Sequence, residues 1–191
     1  MKTTFMPKIV RHITVASAMI LMAGCTAPTP PHPNPSPTSQ CPANLPQHIL
    51  NHAQHYSLCL PANVHAGSTS GLPAGSAVYT GFSVPAGTNL ERKQLNIQPG
   101  SDDNLQGATA FGQFTAGGVT FQRMKESDAG AGHREEHIIY IWTHGGAKTY
   151  FDFGLHSVNP QIVGPPHPAE YNEPAQVKST EEIMKTFRRV P

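Results

Sequence analysis

The chain lacks the short motifs by which most enzymes are read. It has no serine nucleophile elbow, no phosphate-binding loop and no dinucleotide fingerprint. Gly112, Gly117 and Gly118 are strand and turn glycines without a GxGxxG spacing, and Gly71 and Gly75 lie in a loop that holds a proline. The run His133-Arg134-Glu135-Glu136-His137 resembles a zinc-protease motif only on the surface. That motif needs Glu directly after the first His, on a helix; here Arg134 takes the position and the run leads into β residues. Charge of one sign is also missing. Thirteen Lys and Arg stand against twelve Asp and Glu, a formal +1, with no basic stripe interleaved with aromatics, so nucleic acid is excluded as a partner. Cysteine is scarce, at three residues. The apolar run Ile13 to Met22 is too short to span a bilayer as a mature helix.

That run instead belongs to a targeting segment over residues 1–24. Lys2, Lys8 and Arg11 form a positive start, and the run ends in Leu21-Met22-Ala23-Gly24-Cys25. This ending resembles a bacterial lipobox, with Met22 as a less usual residue at its position. The resemblance implies cleavage after Gly24 and a lipidated N-terminal Cys25, so the membrane is an expected partner through acyl chains. Thr26, rather than Asp, favours the outer membrane in a Gram-negative cell by resemblance to lipoprotein sorting. Residues 25–40 comprise this Cys and TAPTPPHPNPSPTSQ, whose prolines favour an extended polyproline tether. With Cys25 lipidated, Cys41 and Cys59 remain in an oxidising compartment and are expected to pair. Closing such a loop is worth about 3 kcal/mol in the chain-entropy model. Residues 41–191 then form one globular domain.

The domain is organised around His133 to Ser157. Two β-type runs, Ile138–Trp142 and Tyr150–Leu155, flank Gly145-Gly146, which predicts a hairpin with a two-residue turn. The turn sets His144 opposite Ala147, and outward from it Trp142 opposite Thr149, Tyr140 opposite Phe151, Ile138 opposite Phe153 and Glu136 opposite Leu155. This mostly apolar set is the expected core face. The other face carries Ile141 with Tyr150, Ile139 with Asp152, His137 with Gly154, and Glu135 with His156. Further strands are expected at Tyr56–Leu60, at Val78 to Val84, around Leu95 and Ile97, and at Phe111–Phe114 and Val119–Met124, the last two as a hairpin with Phe114 facing Phe121. The segments 61–76, 98–107 and Asp128 to Gly132 read as loops, and the Pro-rich 157–172 segment as a surface wrap. Ser179-Thr180-Glu181-Glu182 fits a capping box that opens a C-terminal helix, with Asn172 as an earlier alternative start. Ile183, Met184 and Phe187 form its apolar stripe, with Lys185, Arg188 and Arg189 near its end. The fold class is therefore α+β: a mainly antiparallel sheet with one C-terminal helix packed on one face.

Glu135, His137, Asp152 and His156 share the outer strand face and are ligand types suited to zinc or copper. The competing reading, a hydrated polar face, is the one the sequence favours. The eleven histidines include several between residues 32 and 65, whose spacing matches no defined metal site.

Several short motifs occur in order: Gly87-Thr88-Asn89-Leu90-Glu91, Gly118-Val119-Thr120-Phe121, Ser127-Asp128-Ala129-Gly130-Ala131-Gly132-His133, Ile139-Tyr140, Thr149-Tyr150, Leu155-His156-Ser157 and Thr186-Phe187-Arg188. Their order resembles an uncharacterised family of exported bacterial domains, often lipoproteins, over about residues 56–189. The chain departs from that pattern at Thr149, where the family often has a cysteine, and at His133, where it has Asn. The resemblance implies export and a small domain, and no activity. Together these features point to a non-catalytic cell-envelope lipoprotein without a cofactor. It displays a binding or structural domain on a Pro-rich stalk, and its partner is an envelope protein or peptidoglycan. The alternative is a small metal-binding protein, or a metal-dependent hydrolase that uses the His/Glu/Asp strand face.

Overall fold

The computed structural model describes residues 41–100, 105 and 107–191. The expected leader (residues 1–24), Cys25 and the expected Pro-rich tether lie outside the described residues. Among the described residues there are ten strands: β1 (Gln47–Asn51), β2 (Tyr56–Leu60), β3 (His65–Ala66), β4 (Ala77–Thr80), β5 (Leu90–Gly100), β6 (Thr109–Ala116), β7 (Val119–Gly130), β8 (His133–His144), β9 (Ala147–Val158) and β10 (Arg188–Arg189). The helix α1 spans Glu173–Met184. Seven strands form one antiparallel sheet in the order β3-β4-β5-β9-β8-β7-β6, and three form a second in the order β1-β2-β10. The domain is thus α+β, with a mainly antiparallel architecture and one helix near the C-terminus.

The β8–β9 register is the one the Gly-Gly turn dictates. His144 pairs with Ala147, Tyr140 with Phe151, and Ile138 with Phe153. Gly145 and Gly146 hold φ of 57° and 82°, the left-handed pair that fits strand twist. Phe114 likewise pairs with Phe121 across β6 and β7. Asp128 to Gly132 is not a loop. β7 runs through Gly130, and the turn is only Ala131 and Gly132, with φ of 49° and 82°. An alanine in the left-handed region gives little turn signal in sequence. The strand at Leu95 and Ile97 is longer than its apolar core, because polar outer residues alternate with buried ones from Arg92 to Gln98. The strand expected from Val78 to Val84 stops at Thr80, although Phe82 remains buried. The 157–172 segment does run over the surface after β9, with one 3-10 turn at Pro160–Ile162.

One face of the large sheet is packed. Tyr140, Phe121, Phe151 and Phe153 are fully buried there, together with Leu95, Ile97 and Ile138. The small sheet and α1 supply the rest of the core. β2 is buried along its whole length, and Tyr56 meets Phe151 edge-on at 5.2 Å. Phe187 touches Tyr56, Phe121, Trp142 and Phe151, so residues of both sheets meet on one ring. Cys41 and Cys59 are joined as a disulfide at the start of the domain.

The helix takes the earlier of its two expected starts, at Asn172, and so corrects the capping-box reading. It begins at Glu173, where the Asn172 side chain accepts the N–H of Ala175 at 2.9 Å and Pro174 occupies the first turn. Ser179 sits in mid-helix and receives a hydrogen bond from Lys93 Nζ at 2.9 Å. Ile183 and Met184 are buried as expected, whereas Phe187 lies beyond the helix and Arg188–Arg189 form β10. Arg123 pairs with Glu181 at 2.6 Å, Lys125 pairs with Glu173, and the Tyr140 hydroxyl meets Thr180 at 2.8 Å. These contacts come from strand residues on the core side, so they tie α1 to that side.

Candidate functional site

The unpacked face of the large sheet is a lattice of four rows read across β5, β9, β8 and β7. They run Gln98-Tyr150-Ile141-Gln122, Asn96-Asp152-Ile139-Met124, Gln94-Gly154-His137-Glu126 and Arg92-His156-Glu135-Asp128. The end near the β8–β9 turn is apolar: Ile139, Ile141 and Tyr150 are buried with Leu105 and Met124 against them. The other end is polar and holds all the residues expected there. Asp152 accepts the Nδ1–H of His137 at 2.9 and 3.0 Å. This hydrogen bond raises the His137 pKa above its ordinary 6.5, against the opposing effect of burial. Glu135 accepts from His156 Nδ1 and lies 3.6 Å from Arg92. The four candidates therefore form two separate pairs. Among the described residues, ligand-type atoms of Glu91, His133 and His156 converge, all within 4.8 Å of one another.

A cleft of about 730 Å3 opens beside this polar end. Its walls are the β7–β8 turn from Ala129 to Arg134, the end of β9 with Asn159, and the segment from Glu170 that leads into α1. Asn89 clasps these pieces. Its amide donates to Val158 O at 2.8 Å, its side-chain oxygen accepts from Tyr171 N at 2.9 Å, and its own N–H reaches Ala169 O. Asn159 accepts from Gln161 N at 3.0 Å, and Asn172 caps the helix. Glu136, on the core face and nearly inaccessible, is held by Arg134 and by the Tyr171 hydroxyl. Burial, and then this carboxylate, push the Tyr171 phenol well above its usual range, so it stays protonated as a donor. The cleft is pre-formed because its polar groups are engaged in holding its walls.

A second buried charge lies across Leu155 from Glu136. Lys93 and Glu136 both pair with Leu155, one from each neighbouring strand. Lys93 is 2% exposed, with Phe82 and Phe153 rings within 6 Å of Nζ (5.8 and 5.9 Å). Burial lowers its pKa to about 8. The signal for this residue was present in sequence, since Lys93, Leu95 and Ile97 share one phase of a strand. Tyr171 and Asn159 had none, because they stand in the irregular 157–172 segment.

No family model matches the chain, and no curated protein matches it. Several solved structures resemble it weakly. A Bacteroides thetaiotaomicron protein aligns with a TM-score of 0.43 at 11% identity over 75% of this chain, which spans about half, 48%, of that protein. The Saccharomyces cerevisiae Ran-binding protein Mog1p aligns with a TM-score of 0.43 at 12% identity, over 75% of this chain and 95% of its own. LpqN, described as involved in cell envelope biogenesis of Mycobacterium tuberculosis, aligns with a TM-score of 0.37 at 13% identity, over 71% of this chain and 83% of its own.

Proposed function

We propose that this chain is an exported, lipid-anchored cell-envelope protein whose domain binds a partner through the cleft between the β7–β8 turn and the start of α1. The observation that carries the binding reading is the pre-formed cleft itself, clasped by Asn89 and floored by the Arg134–Glu136–Tyr171 contacts. Polar groups that hold walls suit recognition. Catalysis asks instead for an acid or base poised toward the reacting atoms. The lipobox-like leader, the Pro-rich tether and the Cys41–Cys59 bond support the envelope location, and the leader supports an acylated Cys25. In a Gram-negative cell the anchor would be in the outer membrane. An envelope protein or peptidoglycan is the expected occupant of the cleft.

Two arms test this. Cys25→Ser should move the protein from membranes to a soluble fraction; retention after salt and carbonate washes would remove the lipid anchor from the account. The cleft is tested with Gly130→Phe. Gly130 lines the cleft and a Cβ there meets no atom within 4 Å, so a bulky side chain is accommodated without displacing a neighbour. Affinity capture from solubilised envelopes, and sedimentation with purified peptidoglycan, should both be compared with wild type. Loss of the retained partner with an unchanged Tm supports the cleft, and capture of the same partner at the same yield refutes it.

A further inference from the structure

We propose that Glu91, His133 and His156 form a zinc site at the rim of the cleft, with Glu135 as the residue that orients His156. The site is assembled by two backbone features. Leu90 pairs with Ser157 and Arg92 with His156, which leaves Glu91 as the extra residue of a β-bulge. Leu90 is buried on the core side, whereas Glu91 and Arg92 are both exposed, so the bulge turns two consecutive side chains to the outer face over His156. The tight Ala131-Gly132 turn then starts β8 at His133, whose ring stacks on His156 with centroids 5.0 Å apart and planes 23° apart. His133 also lines the cleft.

Glu135 holds Nδ1 of His156, which turns Nε2 outward as the ring atom left for a ligand. That nitrogen faces the Glu91 carboxylate at 3.5 Å. This is longer than the usual N–H···O bond of about 2.7–3.2 Å. It is close to the ~3.3 Å that separates two donors bound at ~2.0–2.1 Å to a tetrahedral ion. Two imidazoles and one carboxylate are a donor set that zinc accepts, with the fourth position left for water or a group of the cleft's occupant. Glu91 and His133 are exposed, so the small closure needed for coordination is within rotamer reach. Arg92, 3.6 Å from Glu135, holds the orienting carboxylate in place.

The test is titration of the untagged full chain in detergent with Zn2+ alone, by calorimetry and by thermal melting with and without metal. Wild type should take up one equivalent in the micromolar range or tighter, and Zn2+ should raise its Tm. His133→Ala and His156→Ala should each weaken uptake at least tenfold and remove the Tm rise. Glu91→Gln should act in the same direction. Glu135→Gln should weaken binding by roughly 10–100-fold at unchanged stoichiometry, as expected of a residue that orients a ligand. His137→Ala should leave uptake unchanged, because His137 is engaged with Asp152 outside the cluster. Each variant's metal-free Tm separates lost binding from lost folding, and exposed His133 keeps the test decisive if His156→Ala folds poorly. Absence of micromolar binding, binding unchanged in His133→Ala, or loss in His137→Ala alone would each overturn the site. Zn2+ titration reads the cluster and partner capture reads the cleft, so either can fail without the other; Gly130→Phe lies opposite His133 and is kept out of the titration.

Discussion

The two faces of the seven-stranded sheet carry the same alternating backbone and do opposite things. On the packed face, a row such as Leu95-Phe153-Ile138 is closed off by aromatic rings, the small sheet and α1. On the open face one residue along, the row Gln94-Gly154-His137-Glu126 is polar and carries a bare glycine. The packed face tolerates charge only under strict terms: Glu136 has Arg134 and Tyr171, and Lys93 has Ser179. The open face collects five carboxylates from three strands and a bulge, among Glu91, Glu126, Asp128, Glu135 and Asp152, beside three histidines. Side-chain period decides which residues hold the fold, and what is left over is free to recognise something.

The largest expected effect is at the ring shared by the two sheets. Phe187 is fully buried among four aromatic side chains, so Phe187→Ala should cost about 3–5 kcal/mol in denaturant unfolding. An effect below about 1 kcal/mol would mean that the small sheet is not locked onto the large one as described.

Lys93 sharpens the comparison, because it is a charge on the wrong face. Its folded pKa, about 8, lies below the ordinary 10.5, so the unfolded chain binds the proton more tightly. Stability should therefore rise as pH increases through the window from about 8 to 10.5, where only the unfolded state remains protonated. Lys93→Met should flatten that rise and stabilise the protein below pH 8, by up to about 3 kcal/mol at ~1.4 kcal/mol per pKa unit. An unchanged pH profile in the variant would place the Lys93 ammonium in water.

On the open face the sign reverses. His137 has a raised pKa, so its contribution is fully present below 6.5 and fades as pH rises through the folded value. Asp152→Asn should cost about 1 kcal/mol in mildly acidic solution and less in alkaline solution. Equal losses at both ends would show that the pair acts through packing rather than charge.

How much of this was legible depends on which physical signal each element used. The β8–β9 hairpin was readable to the residue, because Gly145-Gly146 fixes register and one slip would bury Asp152 and His156. The helix was readable as a stripe, and its start as one of two alternatives: Ser179 matched a cap locally but its actual partner is Lys93, 86 positions away, and the earlier start near Asn172 is the one that forms. Asn172 followed by Glu173-Pro174 was the better cap, and the rule for proline in the first turn supports it. The outer-face candidates were placed on the right face but not as one cluster. Glu91 joined His156 through a bulge with no local mark, and His133 through a turn whose first residue is an alanine. The cleft was illegible because Asn89, Asn159 and Tyr171 come from three segments that only tertiary structure brings together.

The most direct test of the division between the faces is a paired thermal and denaturant melt of Phe153→Ala and His156→Ala. Their wild-type residues lie three positions apart on β9 and point to opposite sides. Phe153→Ala should cost about 3–5 kcal/mol. His156→Ala should stay within about 0.5 kcal/mol of wild type, as substitutions on a polar surface usually do. A severe folding defect from His156→Ala with a mild one from Phe153→Ala would contradict the account, since it would mean that the two faces are reversed.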